Sequence, residues 1–214
     1  ELADAQVDLR VRQLLERLDA WNASAGTPIR DIHVSQRGGF GRTMIEAADY
    51  GTPALGYVMR YRDLAAALDA RIPAAQWLEP GQVVTITTND SGALATVTRG
   101  GVTRQITARL VVHGEGTPQN DPDVSVSDYG QHAVIAEVRP AAPHGNRAWE
   151  RFTPDGPLAL LPIGDDYSVV FTVPPEKAEC ILALDDAGFL AALRAQFGTR
   201  LDFVRTGPRA AYPL

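Results

Sequence analysis

The sequence predicts an α+β fold, with strands and helices gathered in separate stretches of chain. Three observations predict it. Residues 83–112 and 132–173 fall into short strand-like runs between turn-forming clusters. Residues 7–21, 61–72 and 174–197 carry apolar side chains at helical spacing. The order helix, hairpin, helix, meander, sheet, helices, strand lacks the regular strand–helix alternation of a doubly wound sheet.

Taken in order, residues 7–21 place Val7, Val11, Leu14, Leu15, Leu18 and Trp21 on one helical face, ended by Gly26-Thr27-Pro28. Residues 29–36 alternate as a half-buried strand, and the turn 37–41 returns the chain into a second strand over 43–47. Residues 61–72 are rich in Ala and Leu and predict a helix. Strands over 83–88, 93–99 and 102–112 form a meander, with Asn89-Asp90-Ser91-Gly92 and Gly100-Gly101 as its turns. The polar, proline-containing stretch 117–130 is a connector. Strands over 132–139, 148–153, 158–163 and 167–173 then make one antiparallel sheet. Pro174-Pro175 opens a helix reaching about Leu184, and Asp185 or Asp186 caps another that Gly198 stops. Short strands over 201–205 and 209–212 follow.

Composition excludes several function classes. The formal net charge of −6 and the pI near 5.2 argue against a nucleic-acid partner, which calls for a basic face. Lys177 is the only lysine, so the basic charge is carried by arginine and a local basic patch stays open. Cys180 is the only cysteine and has no internal disulfide partner; its helical setting predicts a buried structural thiol in a reducing compartment. No apolar run reaches the roughly 18 residues of a membrane span. His33, His113, His132 and His144 lack metal-ligand spacing, and no serine-hydrolase elbow is present. Gly38-Gly39-Phe40-Gly41 lies between strands and not before a helix, so it reads as a hairpin turn and not a dinucleotide fingerprint. Asp165-Asp166 reads as a solvated turn and Asp185-Asp186 as a cap. The residues alone therefore assign no catalytic group and no metal.

Five stretches, in order, resemble the ubiquinone-biosynthesis hydroxylases, which belong to the class A flavoprotein aromatic monooxygenases. They are 32–43 (IHVSQRGGFGRT); 54–58 (ALGYV) with Arg62 and Leu64; 108–116 (ARLVVHGEG); 149–162 (WERFTPDGPLALLP); and 207–214 (GPRAAYPL). The resemblance implies a truncated p-hydroxybenzoate-hydroxylase-like fold. Residues 1–30 and 48–120 would be partial flavin-domain elements, including the meander, and 31–47 and 121–214 the substrate-binding domain. It implies FAD as cofactor, NAD(P)H as co-substrate and a prenylated aromatic ubiquinone precursor as substrate. The Gly-rich flavin fingerprint and the C-terminal Gly-Asp segment have no counterpart here, so the chain is expected to be an internal fragment, inactive as it stands. The family's strand before the first helix is also expected to be missing, with Arg10 or Arg12 near the place of its arginine. Arg62 would face flavin phosphates, and Glu115-Gly116 stands where the family has Asp-Gly. Glu150, Arg151, Pro157, Leu158, Leu160 and Pro162 would line the sheet face over the flavin ring, and Tyr212 would close the pocket. A cytoplasmic setting, peripheral membrane or biosynthetic-complex association and self-association are compatible with this reading. The alternative is a non-catalytic binding or scaffold domain derived from the same fold.

Overall fold

The computed structural model describes residues 4–76, 82–112, 114 and 125–214. Contacts divide the chain into one unit of Glu1–Arg71 with Asp128–Leu214 and a second of Ile72–Ser127. Residues 4–30 and 48–71 belong to the unit that also holds the large sheet.

The large unit begins with strand β1 (Asp4–Val7), followed by helix α1 (Leu9–Arg17). The expectation that no strand precedes the first helix is corrected. Val7 pairs with Tyr57 in a sheet, and Asp8 caps the helix by accepting the Val11 N–H at 2.8 Å. The single strand expected over 29–36 is two, β2 (Thr27–Ile29) and β3 (Asp31–Gln36). The chain changes sheets at Arg30, whose N–H and C=O bond to Asn146 and Ala47 outside either strand. Strand β4 (Arg42–Glu46) completes the hairpin. Strand β5 (Gly56–Arg60) is buried at four of its five positions, so it lacks the alternation that marks a half-buried strand. It sits between β1 and β2 in a three-stranded sheet and leads into helix α2 (Tyr61–Asp69).

A seven-stranded sheet dominates this unit. Its later strands are β9 (His132–Pro140), β10 (Arg147–Phe152), β11 (Pro157–Ile163), β12 (Asp166–Val173) and β13 (Phe203–Pro213), in the order β13-β9-β12-β11-β10-β3-β4. The hairpin 32–47 shares this sheet, as expected, but the sheet is mixed and not antiparallel. β10 runs parallel to β3, with Trp149 beside His33 and Arg151 beside Ser35. An Arg147–Asp31 ion pair at 3.0 Å holds the entry to that parallel pair. The two short strands expected near the C-terminus are one, with register shifts between Phe203 and Arg209. Pro208 lies in the shifted stretch and has no N–H for the ladder.

Helices α3 (Pro175–Leu182) and α4 (Asp186–Phe197) pack on one face of the sheet. Asp185 caps α4 by accepting the Gly188 N–H at 2.7 Å. Phe189, Leu193, Phe197 and Ile181 meet Val134, Leu158, Leu160, Val169 and Phe171 in the main core. Cys180 is exposed, correcting the buried thiol. Ala178 and Ile181 turn inward three residues apart, and position 180 falls off that stripe. On the opposite face, Ile29 and Val58 of the small sheet pack on Ala148 and Ile163.

The second unit is the expected meander of β6 (Gln82–Asn89), β7 (Gly92–Arg99) and β8 (Val102–Ala108), in a sheet of its own. No helix among the described residues is long and apolar enough to cross a membrane.

Candidate functional site

The pleat of the large sheet sorts the candidate residues. Cross-strand partners share a face, so Arg151 beside Leu158 and Trp149 beside Leu160 belong to one side, and Glu150 beside Ala159 to the other. Leu158 and Leu160 belong to the helix-covered core and are fully buried there. Pro162, opposite the buried Tyr167, shares their parity. Four candidates, Arg151, Leu158, Leu160 and Pro162, therefore belong to the helical side, where the three on β11 are core.

Glu150 and Pro157 lie on the other face, where a cavity of about 280 Å³ opens. Ala148 and Glu150 of β10, Pro157, Ala159 and Leu161 of β11, and Val170 and Thr172 of β12 form its floor. Gln6 and Ile29 come from the small sheet and Ile32 from β3. Small and branched apolar side chains make a flat wall of the kind that accepts a planar ring. Glu150 is the one ionisable group lining it, and no described residue hydrogen-bonds to its carboxylate. Burial raises its pKa above the ordinary glutamate value. The sequence already marked Glu150 and Pro157. It missed Ile32, Ala159, Leu161, Val170 and Thr172, because β11 is apolar at nearly every position and gives no parity signal.

Tyr212 pairs with Ala133, which pairs with Thr172, so it stands on the same open face two strands away and is half exposed. Beside the cavity, Arg60 at the end of β5 makes a two-pronged ion pair with Glu137 of β9, its Nη2–Oε2 contact being 2.8 Å. That pair ties the small sheet to the large one. Arg12 is similarly committed, bonding Glu16 at 2.8 Å and the Tyr57 hydroxyl and lying over the Trp21 and Tyr57 rings.

The helical side is tuned differently. Trp149 donates its indole N–H to the Tyr167 hydroxyl at 3.1 Å and packs against His33, with ring centroids 4.5 Å apart. Burial pushes the Tyr167 phenol up to about 12 and lowers the His33 pKa, which nearby arginines lower further.

Of the expected flavin contacts, only Arg62 is among the described residues. Arg62 is in the first turn of α2, exposed, 3.8 Å from the Asp63 carboxylate. Glu115 and Gly116 lie outside the described residues. The N-terminus of α1 is occupied by its own Asp8 carboxylate, and no described strand-to-helix turn carries a glycine fingerprint. The described residues therefore do not fit the adenosine diphosphate half of a flavin.

No protein-family model matches the chain. Ubiquinone hydroxylase UbiL of Rhodospirillum rubrum is 32% identical over 220 residues, covering 97% of this chain and 50% of that protein. The chain is thus similar in sequence to ubiquinone hydroxylases. It spans about half the length of the curated relatives it matches. Its fold is shared with solved structures, among them two enzymes. p-Nitrophenol 4-monooxygenase PnpA from Pseudomonas putida superposes with a TM-score of 0.69 at 12% identity, over 100% of this chain and 58% of that one. The myxobacterial FAD-dependent halogenase CndH gives 0.67 at 17% identity, over 100% and 55%.

Proposed function

We propose that the chain supplies the substrate-binding part of an FAD- and NAD(P)H-dependent monooxygenase that hydroxylates an aromatic ring of a prenylated ubiquinone precursor. One observation carries this reading. The face of the large sheet opposite the helices presents an apolar wall with one half-buried carboxylate, in a chain similar to ubiquinone hydroxylases. The wall formed by Ala159, Leu161 and Val170 would hold the ring by apolar burial, at about 25 cal/mol per Å² removed from water. Glu150, whose raised pKa favours the protonated form, would donate to or accept from a ring hydroxyl and fix its orientation. Pro157 and Thr172 would shape the mouth, and Tyr212 would lie along the path of the prenyl tail. The ring chemistry belongs to the flavin, and these residues bind, orient and exclude water. Arg62 is proposed as an edge contact to that flavin. The single cysteine goes with a cytoplasmic setting. Calorimetric titration with a prenylated phenol tests the reading. The chain should bind it, and Ala159→Trp, which fills the wall, should abolish the heat. Undiminished binding by Ala159→Trp would place the ring elsewhere.

A further inference from the structure

The helix-covered side of the sheet carries a second concavity that ring binding does not use. It has a volume of about 540 Å³ and lies between the β3–β4 turn and the C-terminal end of α4. Arg37, Arg42, Arg151 and Arg200 all line it, and no carboxylate does. That is anomalous for this chain. Its net charge is −6, and other arginines are matched with acids, as in Arg60–Glu137, Arg147–Asp31 and Arg209–Asp186. Among the described residues none of the four makes an ion pair. Arg37 donates to the neutral Gln196 Oε1 at 3.1 Å, and Arg151 donates from Nη1 to Ser35 Oγ at 3.1 Å. The Arg151 Nε is buried without a hydrogen-bond partner among the described residues, an arrangement that costs free energy unless an acceptor arrives. The guanidiniums also oppose one another. Burial lowers the Arg151 pKa, and Arg200 and Arg37 lower it further. The C-terminal carbonyls of α4 contribute about half a negative charge, small beside four full positive ones.

We propose that this arginine-lined cavity is a phosphate-binding site. A phosphate carries up to two charges on oxygens that accept from several directions, which matches converging guanidinium forks better than a single planar carboxylate does. The volume leaves room for the ester group behind the phosphate. The turn itself stands in open space: a Cβ built at Gly38 or Gly41 would meet no atom within 4 Å. At the same rim Phe40 stands fully exposed, 112% of its reference area. An exposed aromatic beside basic residues suits the interface of a lipid layer, so the phosphate could be a phospholipid headgroup as well as a soluble ester.

Two arms separate those sources. In the first, the chain is titrated calorimetrically with inorganic phosphate and with pyrophosphate. In the second, it is sedimented with vesicles of phosphatidylcholine alone or mixed with phosphatidylglycerol. The comparison variant is Arg42→Ala/Arg200→Ala, both exposed positions, with circular dichroism confirming the fold. The wild type should bind pyrophosphate, and the double variant should bind it at least about tenfold more weakly. Sedimentation only with phosphatidylglycerol vesicles, reduced by the double variant and by Phe40→Ala, assigns the phosphate to lipid. Titration without sedimentation assigns it to a soluble ester. Absence of both, or equal binding by the double variant, overturns the proposal.

Discussion

Glu150 holds a carboxylate against an apolar wall without a hydrogen-bond partner among the described residues, and this has a pH signature. Its folded pKa is raised by burial, so its contribution to stability is fully present below the ordinary glutamate value of about 4.3 and is lost as pH rises through the raised value. Glu150→Gln removes that loss. Its urea midpoint should exceed the wild-type one at pH 7, and the difference should close near pH 4. A constant difference across that range would show that Glu150 is ionised at no cost. Leu160 and Ala159 are adjacent in β11 and face opposite ways. Leu160→Ala should cost about 2–5 kcal/mol of unfolding free energy, as large-to-small changes in a packed core do. Ala159→Trp, on the open face, should leave the midpoint near the wild-type value and act on ligand binding. Glu150 and Pro157 were legible from the motif around them. The parity that separates Ala159 from Leu160 was not, because a strand apolar on both sides carries no alternation.

Single positions also terminate and join the elements. Asp185 gives up its carboxylate oxygen to the first turn of α4. Asp185→Ala should lower stability by about 1 kcal/mol, read from thermal unfolding. Gly156, in the turn between β10 and β11, has φ of 150°, and a Cβ there would stand 2.6 Å from the Thr172 carbonyl oxygen. Gly156→Ala should cost more than Asp185→Ala, because both the dihedral and the contact oppose it; equal midpoints would contradict that account. Both positions were readable locally, as a cap and as a turn glycine. What local reading did not give was pairing at a distance. The parallel contact of β10 with β3 joins residues more than a hundred positions apart, and no turn signal announces it. β1 was hidden for a related reason. Val7 fits the periodicity of α1, and only its ladder to β5 decides for strand.

For the molecule as a whole, the account separates two binding roles. The sheet offers a wall for a ring, while the described residues lack the glycine-rich strand-to-helix turn that holds a flavin's pyrophosphate. FAD added to the chain should therefore bind with a dissociation constant weaker than about 1 μM, an affinity that requires roughly 8 kcal/mol net. Tighter binding by calorimetry would mean the cofactor site is misplaced. The α+β class, the separate meander and the shared sheet of 32–47 were all legible before the structure, since they follow from patterns within short windows. The claim on which the function rests is narrower: the ring lies on the face of the large sheet opposite the helices. The most direct test is methyl NMR of the chain, labelled at Ile, Leu and Val, during titration with a prenylated phenol. The methyls of Ile32, Leu161 and Val170 should shift while those of Leu158, Leu160, Val169 and Leu193 stay in place. Shifts concentrated in the second group, with the first unchanged, would put the ligand on the helical side and contradict the account.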